Sequence, residues 1–271
     1  MKRPRPLLLV PVLACIGIGG YVWRSESTKQ RELEQLRSRR VETVPSANPT
    51  DDVRANGATN DDRETNDAPI EKRLTAEEIL DLAEARWEEI RDFHFTSVVF
   101  CRAGEETEHK ILDVIFKKPA LYRNTVIEGD NEGAVVTYNA EGVIHGRRGG
   151  ILSVIVLTLK PDDERIRSLR GRRFYEIAWG IELGEMRDYI AAGWTLQRLD
   201  DAEMDGLLCY VVAAEGTSEE TTLTRSEIWV EQATHLVRRR LDYEGDVLVR
   251  DDQYTQIEIN TDPDESLFSL K

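Results

Sequence analysis

The sequence contains few of the residues on which disulfide scaffolds and zinc sites depend. Three cysteines occur in 271 residues, at positions 15, 101 and 209, and no two of them are spaced as CxxC. This count excludes a disulfide-stapled scaffold, and the spacing excludes a zinc ribbon. Cys101 and Cys209 lie in strand-like segments, where two alternatives are open: a disulfide between them in an oxidising compartment, or two buried free thiols.

Catalytic and metal-binding motifs are also missing. The four histidines fall in separate predicted elements, none with a second ligand at helical spacing: His94, His109, His145 and His235. No GxSxG nucleophile elbow is present. Asp201–Gly206 begins like a calcium loop, but its twelfth position is Val212, where a bidentate glutamate is needed. We therefore predict no enzymatic activity, no catalytic residue, no metal site and no cofactor.

An excess of positive charge is also missing. The chain has 36 Lys and Arg against 51 Asp and Glu, a net charge of −15. The basic surface that DNA or RNA binding requires is therefore absent, and we expect no nucleic-acid partner. Residues 1–75 carry 13 basic against 11 acidic groups and the remainder 23 against 40, so the acidity belongs to the C-terminal part.

Two basic clusters stand out in this acidic part, Arg170–Arg173 (RGRR) and Arg238–Arg240. One interpretation is that they contact lipid phosphates or an acidic protein partner. The other, which we favour, is that they are strand-face arginines paired with nearby carboxylates such as Asp242 and Glu244.

The amino-terminal segment 1–24 indicates a membrane anchor or signal. Basic residues precede an uncharged stretch from Pro6 to Trp23. As a helix this stretch would span about 27 Å, at the low end for crossing a bilayer. Three alternatives are open: a retained anchor, which we favour, a cleaved signal peptide, or a lipoprotein signal lipidated at Cys15, because Val12–Cys15 resembles a lipobox. The flank after Trp23 is also basic, so charge does not decide the orientation.

Composition divides the rest of the chain into three parts. Residues 25–41 are charged helix formers and predict a solvated helical stalk. Residues 42–72 are rich in Pro, Asn, Asp and Thr and too poor in apolar residues to fold, which predicts a disordered linker. A folded domain occupies residues 73–271.

The domain pattern predicts an α+β fold. Thr75 and Glu78 form a capping box, and apolar residues then recur at helical spacing. Strand-like runs separated by turn signals follow, at 93–101, 110–118, 120–129, 133–142 and 143–147. Short helices are expected at 161–169 and 184–192, after which strands resume, with a hairpin turn at Glu244–Asp246. We count nine or more strands, mostly in one antiparallel sheet.

This order of elements resembles the LolA-like lipoprotein-carrier superfamily. The likeness is carried by VIFKKPALYR (114–123), GAVVTYNAEG (133–142), HLVRRRLDYEGDVLVR (235–250) and DPDESLFSL (262–270). Residues 170–190 more closely resemble an uncharacterised bacterial family of exported domains with that fold. The resemblance implies a large antiparallel, incompletely closed β-barrel or curved sheet, with an N-terminal helix and a helical insertion packed on its concave side.

The resemblance also implies an exported domain whose apolar cavity holds acyl chains. Bulky apolar residues are the candidates for lining it: Trp87, Phe95, Phe116, Trp179 and Trp229. We therefore expect a non-enzymatic protein of the bacterial cell envelope, anchored once in the inner membrane with a periplasmic C-terminal domain, whose partners are the membrane and a lipid or lipoprotein. The alternative is an envelope sensory or protein-interaction module with a packed core and no ligand, presented to a protein partner.

Overall fold

The part of the chain that the computed structural model describes, residues 73–270, begins with the expected helix. Helix α1 spans Ala76–Glu89; the Thr75 hydroxyl accepts the Glu78 amide and the Glu78 carboxylate accepts the Thr75 amide. This reciprocal cap satisfies two amides that a helix start otherwise leaves unpaired. The predicted anchor, stalk and linker, and Cys15 with its lipidation, lie outside the described residues.

The main element is one antiparallel sheet of twelve strands. The strands are β1 (Asp92–Ala103), β2 (Glu106–Lys117), β3 (Leu121–Gly129), β4 (Val135–Tyr138), β5 (Ile144–Arg147), β6 (Val156–Leu159), β7 (Thr195–Arg198), β8 (Ala202–Met204), β9 (Leu207–Glu215), β10 (Arg225–Glu231), β11 (Val237–Glu244) and β12 (Val247–Ile259). Their order is β6-β5-β4-β3-β2-β1-β12-β11-β10-β9-β7, with β8 paired to β9. The sheet does not close, as the resemblance implied. Together with the helices packed on it, this sheet confirms the predicted α+β class.

The first and last strands meet in the middle of this sheet. Strand β1 pairs with β2 on one side and with β12 on the other, where Ser97 lies opposite Tyr254. A meander of β1 to β6 therefore joins a second group, β7 to β12, along a single seam. The tight turn between β11 and β12 lies at Gly245 and Asp246, as the sequence predicted.

Alternation along β1 decides which face is covered. Phe93 lies opposite Phe116 and Phe95 opposite Val114 on one face, which we call the inner face. Helix α1 and a second helix, α2 (Trp179–Ala191), pack on it. Helix α2 begins earlier than the predicted segment 184–192. The residue that allows its close approach is Gly180, because a Cβ there would overlap the indole ring of Trp87.

The expected helix at 161–169 is wrong. Only one 3-10 turn forms, Glu164–Ile166, in which the Asp163 carboxylate accepts the Arg165 amide. The chain then makes a small hairpin in which Arg167 and Arg173 pair and Gly171 has a positive φ of 77°. The Ser168 hydroxyl accepts the Arg172 amide across its turn. These local side-chain hydrogen bonds compete with helix formation and explain the difference. We call residues 167–173 the arginine hairpin.

Both described cysteines are free and buried. Cys101 lies on β1 and Cys209 on β9, four positions apart in the sheet order. At about 4.8 Å per strand this separation far exceeds the 7 Å between Cα atoms that a disulfide tolerates. The disulfide alternative is therefore not formed. Burial raises the pKa of the Cys209 thiol to about 11 and also raises that of Cys101.

Candidate functional site

A cavity of about 450 Å³ lies between the inner face and the segment 165–177. The sheet contributes apolar residues to its wall, because alternate residues of β1 to β4 turn toward the same face: Val99, Leu112, Val126 and Val136, with Ala134 just before β4. The sheet also contributes charged residues to this wall: Glu108, Lys110, Asp242, Arg250 and Asp252. Ile166, Ile177 and Leu223 add apolar surface from the connecting segments. The sheet and the segment over it therefore enclose a space that suits an apolar chain.

A second cavity of about 340 Å³ adjoins the first, because both are lined by Val126, Ala134 and Val136. It extends toward β5 and β6, where Leu157 and Leu159 line it. The two spaces thus follow the inner face from the middle of the sheet toward its β6 edge.

The arginine hairpin forms one wall of the larger cavity, and all four of its arginines line it. Its turn is bonded to both halves of the sheet. Arg170 donates to the Arg102 carbonyl on β1 at 3.2 Å and to the Glu244 carboxylate on β11 at 2.6 Å. Behind it, the Asn124 amide nitrogen on β3 donates to the Phe174 carbonyl at 3.1 Å. The hairpin is therefore held against the sheet by polar contacts.

A buried network of charges forms the other end of the cavity. Glu182 of α2 is fully buried and accepts hydrogen bonds from Arg250 at 2.6 Å and from the Tyr254 hydroxyl at 2.5 Å. Asp242 accepts from Arg240 at 2.8 Å and from Arg250 at 3.3 Å. These contacts join α2 to β11 and β12 and satisfy most of the buried charges.

The network shifts the pKa values of its acids in opposite directions. Burial acts to raise the pKa of Glu182 and Asp242, but the neighbouring guanidinium groups, Arg250 and Arg240 foremost, outweigh it and lower both values. For Asp252, burial dominates and raises the pKa despite the contact with Arg250. Asp252 also lines the cavity.

Several polar atoms in the cavity wall have no hydrogen-bond partner among the described residues. They are Asn124 Oδ1, Asp252 Oδ1, Arg167 Nε, and Nε and Nη1 of Arg172. Asn124 and Asp252 are 6% and 5% exposed. Buried polar atoms are almost always paired in native proteins, so unpaired donors and acceptors are unusual in residues that line a cavity.

The sequence-predicted lining residues lie elsewhere. Phe95, Phe116 and Trp179 are buried in an aromatic cluster under α1 and α2, with Trp87 packed against Phe116 at 5.7 Å between ring centroids. Trp229, on β10, lies under the Arg239 guanidinium at 4.9 Å. None of the five borders either of the two cavities described above. Their contact with a ligand stays a prediction.

The residues that do line the cavity were only partly visible in the sequence. The RGRR run marked part of the arginine hairpin, but nothing in the sequence marked Asn124 or Asp252. Within residues 73–270 no helix is long and apolar enough to cross a membrane. No group of three or more His, Cys, Asp or Glu in this range is arranged to hold a metal ion.

No family model matches the chain, and no curated protein matches it. Solved structures do. A LolA superfamily protein from Nitrosomonas europaea matches at 13% identity and a TM-score of 0.33, covering 73% of this chain and 99% of its own. The Mycobacterium tuberculosis lipoprotein LppX matches at 11% identity and a TM-score of 0.44, covering 69% and 95%.

The Pseudomonas aeruginosa MucA/MucB complex contains a third match, at 14% identity and a TM-score of 0.37, covering 72% of this chain and 61% of that chain. At 11–14% identity this similarity concerns the fold and not the ligand.

Proposed function

We propose that this protein is a non-enzymatic, membrane-tethered protein of the cell envelope that binds the acyl chain of a lipid or lipoprotein. The binding site is the cavity between the inner face and the arginine hairpin. The observation that carries the proposal is the space of about 450 Å³ beside the apolar residues Val99, Leu112, Val126 and Val136 of the sheet. The anchor at 1–24, the stalk at 25–41 and the linker at 42–72 would present the domain 73–271 on the periplasmic side of the inner membrane.

The size of the space supports a ligand rather than imperfect packing. Protein interiors contain few voids larger than a water molecule, whereas ligand pockets measure about 300–1,000 Å³. An acyl chain entering this space would gain about 0.8 kcal/mol for each CH₂ group removed from water. Val136 lies at the junction of both cavities, so a chain would pass over it.

Native mass spectrometry of the full chain, purified without added lipid, tests the proposal. We expect a co-purifying lipid, lost in Val136→Trp because the indole fills the junction of the cavities. Val247→Trp is the matched control, since Val247 is 46% exposed and borders neither cavity. A protein free of lipid, that also fails to bind added single-chain lipids, would contradict the proposal.

One observation favours the alternative, a protein-interaction module. Ile151, Val154 and Ile155 are exposed beside the edge strand β6, with Ile151 at 96% exposure. Exposed apolar residues next to an unpaired strand edge are typical of a docking surface. An envelope protein captured by the full chain, and lost in Ile151→Glu together with Ile155→Glu while Val136→Trp still captures it, would favour this second function.

A further inference from the structure

We propose that the cavity recognises an anionic head group, held by Arg167 and Arg172 of the arginine hairpin, and that the ligand is a single-chain anionic amphiphile. This inference rests on the proposed function and deepens it. It assigns the polar end of the cavity to the head and the apolar wall to the chain.

Arg167 is the first reason. The other three arginines of the hairpin have carboxylates nearby: Arg170 with Glu244 at 2.6 Å, Arg172 with Glu182 at 3.6 Å and Arg173 with Glu176 at 3.6 Å. Among the described residues, Arg167 has no such partner, although it lines the cavity and its Nε is buried. In a domain with a large excess of acidic groups, a cation left unpaired at a cavity wall indicates an anionic ligand.

Arg172 is the second reason. Its Nη2 is occupied, donating to the Glu176 carbonyl at 2.7 Å and lying 3.6 Å from Glu182. Its Nε and Nη1 are buried and have no acceptor in the described part of the chain. Arg172 also lines the cavity, and a guanidinium whose position is fixed on one side is preorganised to bind an oxyanion there.

The opposite wall defines the rest of the head. Asn124 Oδ1 and Asp252 Oδ1 are buried acceptors without donors, and both residues line the cavity. The Asn124 side chain is fixed, because its nitrogen donates to the Phe174 carbonyl. A hydroxyl group satisfies such acceptors, whereas a choline group has no hydrogen to donate. A phosphate ester that also carries free hydroxyls, such as phosphoglycerol, therefore fits both walls.

The apolar wall limits the number of chains. From the hairpin, Leu112, Val126 and Val136 lead into the second cavity, which ends near Leu157 and Leu159. Spaces of about 450 and 340 Å³ are each at the lower end of the range for small-molecule ligands. We therefore assign one acyl chain to the site rather than the two or three of a whole membrane lipid or lipoprotein.

Competition binding with four probes of equal chain length tests this inference. The full chain, delipidated and held in an amphipathic polymer, is titrated with lysophosphatidylglycerol, palmitate, lysophosphatidylcholine and monopalmitoylglycerol. We expect lysophosphatidylglycerol to bind at least about tenfold more tightly than monopalmitoylglycerol, which lacks the phosphate, since a hydrogen bond to a charged group has about this effect. Arg167→Gln should reduce this ratio to about threefold or less.

Arg91→Gln is the matched control, because Arg91 is exposed and borders neither cavity. Thermal unfolding of each variant confirms that it folds, and Asn124→Asp, which places a carboxylate opposite the head, supplies a second variant that should weaken lysophosphatidylglycerol selectively. Tight binding of palmitate as well supports the anionic site and assigns it to fatty acids in addition.

Two results would overturn the inference while the proposed function stands. One is equal binding of lysophosphatidylglycerol and the neutral monopalmitoylglycerol. The other is an anionic preference that neither Arg167→Gln nor Asn124→Asp reduces. Failure of all four probes to bind is a different result, because it would contradict the proposed function itself.

Discussion

Replacing Glu182 by Gln should destabilise the domain strongly, because this carboxylate is the point at which α2 joins the sheet. The side chain is fully buried and accepts hydrogen bonds from Arg250 and Tyr254 at 2.6 and 2.5 Å. Glutamine keeps the shape but removes the charge that compensates Arg250 and Arg172. Each hydrogen bond to a charged group contributes about 1.5–3 kcal/mol, and removing one partner of a buried pair costs about 3–5 kcal/mol. We expect a loss of about 3–5 kcal/mol in the free energy of unfolding.

Urea denaturation followed by circular dichroism measures this loss. Glu185→Gln is the matched control on the same helix: its carboxylate also faces Arg240 and Arg172, at 3.3 and 3.7 Å, but is 34% exposed. Arg240 keeps Asp242 as a carboxylate partner at 2.8 Å and Glu185 is partly solvated, so the control should lose about 0–1 kcal/mol. A loss below 1 kcal/mol for Glu182→Gln, with an unchanged slope against urea, would refute the view that Glu182 is ionised and structurally required.

Three further predictions concern acidity, packing and thiol chemistry. The folded state lowers the pKa of Glu182 below its usual 4.5. Its contribution to the free energy of unfolding is therefore complete above that pH and is lost as pH falls through the folded-state pKa. Urea midpoints should decline below about pH 4.5, and they should decline less steeply in Glu182→Gln. In thermal unfolding, Gly180→Ala should destabilise the domain by about 1–3 kcal/mol, because its Cβ overlaps Trp87. Gly184→Ala, which has open space around its Cβ, should stabilise the helix by up to about 1 kcal/mol in the same measurement. Cys209, with its pKa raised to about 11, should resist iodoacetamide at pH 7 until the protein is unfolded, as peptide mapping would show; rapid native labelling would contradict its burial.

Local patterns were sufficient to predict the class of fold. The capping box at Thr75 and the strand-like run at 93–101 describe interactions between residues close in sequence or on one strand, and both are present in the structure. The segment 161–169 shows where a local pattern is not sufficient. Its charged residues suit a helix, but Asp163 and Ser168 bind backbone amides and turn the chain instead.

The site itself depends on contacts that no local pattern records. Asn124 meets Phe174 and Glu182 meets Arg250 only after the sheet has formed. Hydrophobicity marks Phe95 and Trp179 as buried, but it does not tell a solid aromatic core from the wall of a cavity. The cavity lies where the sheet residues are smaller, such as Val136, and where a polar hairpin rather than a helix covers them.

The pairing of β1 with β12 has a consequence for how the domain forms. Thr255 contacts Thr96 across 159 positions of the chain, so this seam cannot close until nearly the whole domain has been synthesised. The two hairpin groups on either side contain mostly near-neighbour pairings and can assemble early, whereas their union carries the largest loop-closure cost in the sheet. We therefore expect the central hydrogen-bond ladder to assemble last, when the thirteen-residue strand β12 joins the two groups of strands into one sheet.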